Sequence, residues 1–125
     1  MALNVTSEEK QPGIFTVLPF GRLDSETYWV LEKRIDFMLN EGRARVVTLD
    51  MKGVDYISSM GIRVILKARK GLAQRNGNLL IVNLQPQIKK VFEIINALPT
   101  LQIFASIEEL DAYLTEMQRR ALEGE

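Results

Sequence analysis

The segment RVVTLDMKGVDYISSMGIRVIL, residues 45–66, passes from one kind of apolar patterning to another. Its first part, Arg45–Met51, is rich in β-branched residues and fits a short strand buried on both faces, as in a parallel sheet. From Ser58 or Ser59 onward the apolar residues recur at helical spacing, and the helix is expected to run to about Arg75 and stop at Asn76-Gly77. Two adjacent hydroxyls therefore stand where the chain turns into a helix. Either side chain can cap that helix, and either can carry a regulatory modification.

Working outward, the same alternation repeats. Toward the N-terminus, Leu3–Ser7 and Ile14–Phe20 read as strands separated by Pro12-Gly13. Pro19 cannot donate a ladder hydrogen bond, which predicts that the second strand lies at an edge or is irregular near its end. Gly21–Ser25 then leads into a helix that Asp24 or Ser25 can cap. Its apolar stripe is Val30, Leu31, Ile35, Met38 and Leu39, and Gly42 suits the left-handed position after its end. Toward the C-terminus come a buried strand at Leu79–Val82 and a helix opened by Pro86, which leads Ile88, Val91, Phe92 and Ile95 into it. Pro99 blocks its continuation, Leu101–Phe104 reads as a brief strand, and Ser106-Ile107-Glu108-Glu109 is a capping box opening the last helix. The order ββαβαβαβα predicts a single α/β domain over residues 1–125. Its sheet is open, mixed but mostly parallel, with about five strands and about four helices. Residues 119–125 are polar and expected to fray.

Composition narrows the function. Hydrophobic residues make up 46% of the chain and charged residues 26%, as in a globular domain that buries a core. Lys plus Arg and Asp plus Glu balance at 16 each, so no net positive field is available to hold nucleic acid. With neither cysteine nor histidine, the chain offers no thiol nucleophile, no disulfide, no zinc-finger ligand set and no Ser-His-Asp triad. No P-loop or dinucleotide-binding glycine pattern occurs, so no cofactor and no metal are expected. Met1–Lys10 lacks the basic-then-apolar order of a signal peptide, and no apolar run approaches the ~20 residues needed to span a bilayer. A cytoplasmic protein without membrane insertion is the expectation.

In open α/β sheets, function collects where strand ends meet helix starts, and two such junctions here carry polar residues, Gly21–Ser25 and Asp55–Gly61. A helix N-terminus favours an anion by roughly 0.3–1 kcal/mol, and a phosphoserine placed there adds about −1.5 to −2 charges. Asp24 has no second carboxylate demonstrably paired with it, so general acid–base catalysis has little support. Arg63, Lys67 and Lys70 recur at i, i+4 and i+7 on one helical face, which reads either as a solvated stripe or as a docking face for an acidic partner. Met60, in the first turn, reads either as core filler or as a surface contact.

Three stretches together resemble the STAS domain family, and bacterial anti-sigma-factor antagonists in particular, over nearly the whole chain. These are GRLDSET (21–27), VVTLDMKGVDYISSMGIRVIL (46–66) and GNLLIVNLQPQIKKVFEIINAL (77–98). The resemblance implies a protein-binding module and not an enzyme. Its partner would be an anti-sigma factor that is also a serine protein kinase, with a serine phosphatase to reset the switch, in a partner-switching pathway controlling transcription. Gly61 matches the family's motif glycine, Ser59 its first serine and Ser58 its aspartate. Met60 then stands in the usual phosphoacceptor position, where methionine has no hydroxyl to modify. The resemblance thus makes Ser59 the first and Ser58 the second candidate for phosphorylation. It makes Asp24, Ser58, Ser59, Met60, Arg63 and Lys67 the candidate partner-binding residues. A homodimer is compatible with this reading. The alternative is a STAS subunit or scaffold of a transporter or lipid-trafficking complex without a phospho-switch.

Overall fold

The computed structural model describes residues 2–97 and 106–124. Strands β1 (Asn4–Gln11) and β2 (Ile14–Leu23) form an antiparallel hairpin turned at Pro12-Gly13, where Gly13 takes a φ of 80°. The chain continues through α1 (Tyr28–Asn40), β3 (Val46–Asp50), β4 (Gly53–Ile57), α2 (Ser59–Ala73), β5 (Asn78–Val82), α3 (Pro86–Ala97) and α4 (Ile107–Leu122). The five strands lie in the order β1-β2-β3-β5, with β4 also beside β2, and every pairing outside the hairpin is parallel. The expected strand at Leu101–Phe104 and the stop at Pro99 lie outside the described residues.

The strand not foreseen from sequence is β4. Its partners on β2 are Phe20–Leu23, whereas β3 pairs with Ile14–Val17. The two are therefore halves of one interrupted strand along the same side of β2, with a turn between them in which the Val54 amide donates to the Met51 carbonyl at 3.0 Å. This arrangement corrects the expectation of an edge position for β2, which is paired on both sides. Pro19 falls between the last β3 partner, Val17, and the first β4 partner, Phe20, where the ladder changes strands. The expected irregularity near the strand end is present, as a register shift between Gly21 and Arg22.

Among the described residues β4 has no second strand neighbour. Glutamine side chains take that place. Gln85 Nε2 donates to the Lys52 carbonyl at 2.8 Å, and Gln87 Nε2 donates to the Asp55 carbonyl at 3.0 Å. Gln118 of α4 both accepts from the Ile57 amide and donates to the Ile57 carbonyl, each at 3.0 Å. Gln87 and Gln118 are buried, so these bonds satisfy backbone groups that water cannot reach.

Alternation along β2 and β3 turns Phe15, Val17, Leu23, Val47 and Leu49 inward, where they join Leu31, Ile35 and Met38 of α1 and Ile62, Ile65 and Leu72 of α2 in one core. Each fully buried aliphatic side chain contributes about 1.5–3 kcal/mol. The alternate residues of the same sheet remain open to varying degrees, up to Phe20 and Leu80. Strand β5, expected as a buried strand, has no fully buried residue because it pairs with β3 alone among the described strands. One helix end differs in detail from expectation. After α1 the left-handed residue is Arg43, not Gly42, and Gly42 is required instead by space, since a Cβ there would sit 2.8 Å from Phe15 Cζ. After α2 the left-handed residue is Asn76. Ser106 does cap α4, accepting from the Glu109 amide at 3.1 Å, and the helix runs through the polar end to Leu122.

Candidate functional site

Parallel pairing of β2 with β4 sets Leu23 opposite Ile57, so the two strand ends release their chains side by side at one edge. From the first comes the turn beginning at Asp24, and from the second come Ser58, Ser59 and α2. The Ser58 amide donates to the Leu23 carbonyl at 2.9 Å and ties the junctions together. Gly61 permits this approach: a Cβ there would lie 2.7 Å from Leu23 Cγ and 2.8 Å from Ile57 Cγ1.

The Asp24 turn is bonded within itself. Asp24 Oδ1 accepts from the Glu26 amide at 3.0 Å, and the buried Thr27 hydroxyl accepts from the Asp24 amide at 3.0 Å while donating to the Arg22 carbonyl at 2.6 Å. Partial burial pushes the Asp24 carboxyl up. The Glu26 amide, the Thr27 hydroxyl and the Arg22 guanidinium, in that order, outweigh it and hold the group below its ordinary value. Asp24 thus braces the turn ahead of α1, while Thr27 occupies the cap position and Ser25 is exposed. Arg22, 3.4 Å from Asp24 Oδ2, also lies 3.9 Å over the Tyr56 ring, and Tyr56 Oη is 2.7 Å from Thr115 Oγ1 of α4. A continuous line of contacts crosses from the turn to the last helix.

Ser58 and Ser59 are only 3% and 5% exposed, and neither Oγ has a hydrogen-bond partner among the described residues. Ser58 has the extended backbone of a cap residue, yet its hydroxyl makes no cap bond. The expected serine cap is replaced by Asp111 of α4, whose Oδ1 accepts from the Ser59 amide at 2.9 Å. A carboxylate at that position suits the positive end of α2. The register thus brings Asp24 and the two serines to one edge, with both hydroxyls buried.

Three other candidates line the outer face of α2. Met60 is half-buried, and its sulfur accepts from Arg63 Nη1 at 3.7 Å. Arg63 is exposed. Lys67 Nζ lies 3.1 Å from Glu32 Oε2 and 3.8 Å from Asp36 Oδ2 of α1; the Glu32 bond first, and then the Asp36 charge, raise its amine above the ordinary value. Met60, Arg63 and Lys67 share with Tyr28 and Glu32 a surface groove of about 560 Å³. Sequence reasoning missed Arg22, Thr27, Tyr56, Asp111 and Gln118. Arg22 sits two residues before Asp24 on the same strand face, a local signal, but the others act through contacts that only the register supplies. Among the described residues no group of carboxylates could hold a metal ion, and no helix is long and apolar enough to cross a membrane.

The family model described as STAS domain matches residues 6–110. The Bordetella bronchiseptica protein BtrV, whose name gives it as a candidate anti-sigma factor antagonist, is 37% identical over 86 residues, covering 69% of this chain and 73% of BtrV. An anti-sigma F factor antagonist from Paenibacillus polymyxa is 23% identical over 110 residues, 88% of this chain and 92% of that protein. Among solved structures, the anti-sigma factor antagonist SpoIIAA in its unphosphorylated form superposes with a TM-score of 0.63 at 19% identity, covering 73% of this chain and 83% of SpoIIAA. That likeness is one of fold.

Proposed function

The chain belongs to the STAS domain family, and from that membership we propose that it is an anti-sigma factor antagonist. It acts as a binding module that occupies an anti-sigma factor and so releases a sigma factor, with no catalytic step of its own. The observation that carries this reading is the paired junction, where the β2–β4 register puts the braced Asp24 turn beside the head of α2 and its outer face. The relatives named as anti-sigma factor antagonists support it. Asp24, Met60, Arg63 and Lys67 form the contact face, with Arg63 offering a charge that no carboxylate among the described residues has claimed. The setting is the cytoplasm, and the partner is an anti-sigma factor with serine kinase activity, opposed by a phosphatase.

Phosphorylation, in this reading, falls on Ser59 first and Ser58 second. Burial imposes a condition on it. The kinase must move the terminal phosphoryl of ATP onto Oγ, with loss of the hydroxyl proton and release of ADP, and both oxygens are buried at the junction that α4 caps through Asp111. Asp111 and Gln118 therefore have to release the Ser59 amide and the Ile57 backbone before transfer. Once formed, a phosphoserine beside the Asp111 carboxylate would repel it and keep α4 away.

The test is a calorimetric titration against ATP-binding anti-sigma factors from the same genome. A stoichiometric complex is expected, weakened about tenfold by Arg63→Glu, which is the scale of one charge contact reversed at an interface rim. Failure of the wild-type chain to bind any such factor overturns the reading. Phosphopeptide mapping after incubation with kinase and ATP then decides the acceptor, and phosphate found mainly elsewhere removes both serines from it.

A further inference from the structure

Helix α1 has two flanks of opposite character. The flank toward α2 is acidic and sealed, because Glu32 and Asp36 hold Lys67. The flank toward β1 is aromatic and cationic, and open. There Trp29 is 51% exposed and Phe37 63% exposed, although large aromatic side chains gain most from leaving water. They stand about 12 Å apart at 1.5 Å rise per residue, bracketing Lys33, whose Nζ lies 5.7 Å from the Trp29 ring. Arg34 donates to Ser7 Oγ of β1 at 2.8 Å. Between these side chains runs a groove of about 500 Å³, floored by Phe15, Val30 and Met38.

No acidic residue lines this groove, and among the described residues no carboxylate is ion-paired with Lys33 or Arg34. Exposed Trp, Phe and Arg around an apolar floor are the residue types that carry binding energy at protein interfaces. The geometry points to a second docking surface, the groove between α1 and β1, which takes an acidic protein segment bearing two apolar anchors. The anchors pack against Trp29 and Phe37, and the segment's carboxylates pair with Lys33 and Arg34. This flank lies across α1 from the Met60–Arg63–Lys67 groove, so both can be filled together and the chain can join two proteins. The inference does not rest on the identity of the partner at α2.

Trp29 is the sole tryptophan of the chain, so its emission reports this groove directly. The probes are three amphipathic peptides that share Leu and Phe anchors at helical spacing and carry Glu, Gln or Lys at the remaining positions. The Glu peptide should give a saturable blue shift, bind about tenfold more tightly than the Gln peptide at low salt and lose that advantage in high salt. Phe37→Ala should weaken it about tenfold, and Lys33→Glu should reverse the preference toward the Lys peptide. Lys33 is exposed and in no ion pair among the described residues, so its substitution leaves the fold intact, which circular dichroism checks. Equal shifts with the Glu and Gln peptides, or none, overturn the proposal. So does a blue shift on concentrating the protein alone, which would make a second copy of the chain the occupant, or a shift with anionic lipid vesicles but not with the Glu peptide.

Discussion

The two junctions at the head of the sheet make a comparison within one molecule. Both are places where a parallel strand gives way to a helix, and Leu23 and Ile57 are neighbours in the ladder. The Asp24 turn satisfies its polar groups with Arg22, Glu26 and Thr27, none more than five residues apart. The Ser58–Ser59 junction leaves its own hydroxyls unbonded and borrows Asp111 and Gln118 from α4, separated by 52 and 61 residues. One junction is assembled by its own chain segment, and the other exists only when a distant helix has docked. The locally built turn needs nothing from α4, whereas the borrowed one depends on it for the Ser59 amide and the Ile57 backbone.

The largest expected effect breaks the borrowed junction. Gln118→Leu keeps the buried volume but strips the Ile57 amide and carbonyl of their partner, which should cost about 2–4 kcal/mol in urea unfolding. Amide exchange should quicken at Ile57 and Ser59 and leave Glu26 as it was; quickening at both junctions alike would end the distinction drawn here. The matching lesion on the other side is Thr27→Val, which removes the donor to the Arg22 carbonyl and the acceptor for the Asp24 amide. About 1–2 kcal/mol should be lost, with faster exchange confined to residues 24–28.

A smaller effect of opposite sign sharpens the comparison. Ser59→Ala removes a buried hydroxyl that has no partner, and should raise stability by up to about 1 kcal/mol. A clear loss of stability instead would mean that the hydroxyl is bonded. The least effect concerns pH. Because the folded carboxyl of Asp24 lies below the ordinary value of 3.8, its stabilisation is present above that value and is lost as pH falls through the folded one. Asp24→Asn should therefore be less stable than the wild type near neutrality, with the gap closing in acid. A gap independent of pH would remove the charge of Asp24 from the account.

Local patterning carried much of this molecule. The inward stripe of α1, the parallel character of β3, the start of α3 at Pro86 and the Ser106 cap are legible because each rests on residues a few positions apart, as do the helix starts near Ser59 and the resemblance around Gly61. Where the reading failed, the partner lay far along the chain. Gly53–Ile57 has a glycine, an aspartate and three apolar residues, a weak strand by composition. It becomes one because Phe20–Leu23 pairs one edge and, among the described residues, Gln87 and Gln118 bond the other. The serine cap failed for the same reason, since a hydroxyl beside a helix start is displaced when a carboxylate from another helix reaches the amide first.

The sequence by itself determined the α/β class, the family and the two polar junctions where strands give way to helices, because periodicity and turn chemistry act over short separations. Only the tertiary structure decided that the two serines are buried, that Asp111 caps α2, and that the flanks of α1 differ. Those outcomes depend on which distant side chain wins each backbone group and each patch of apolar surface, and that competition is settled by packing.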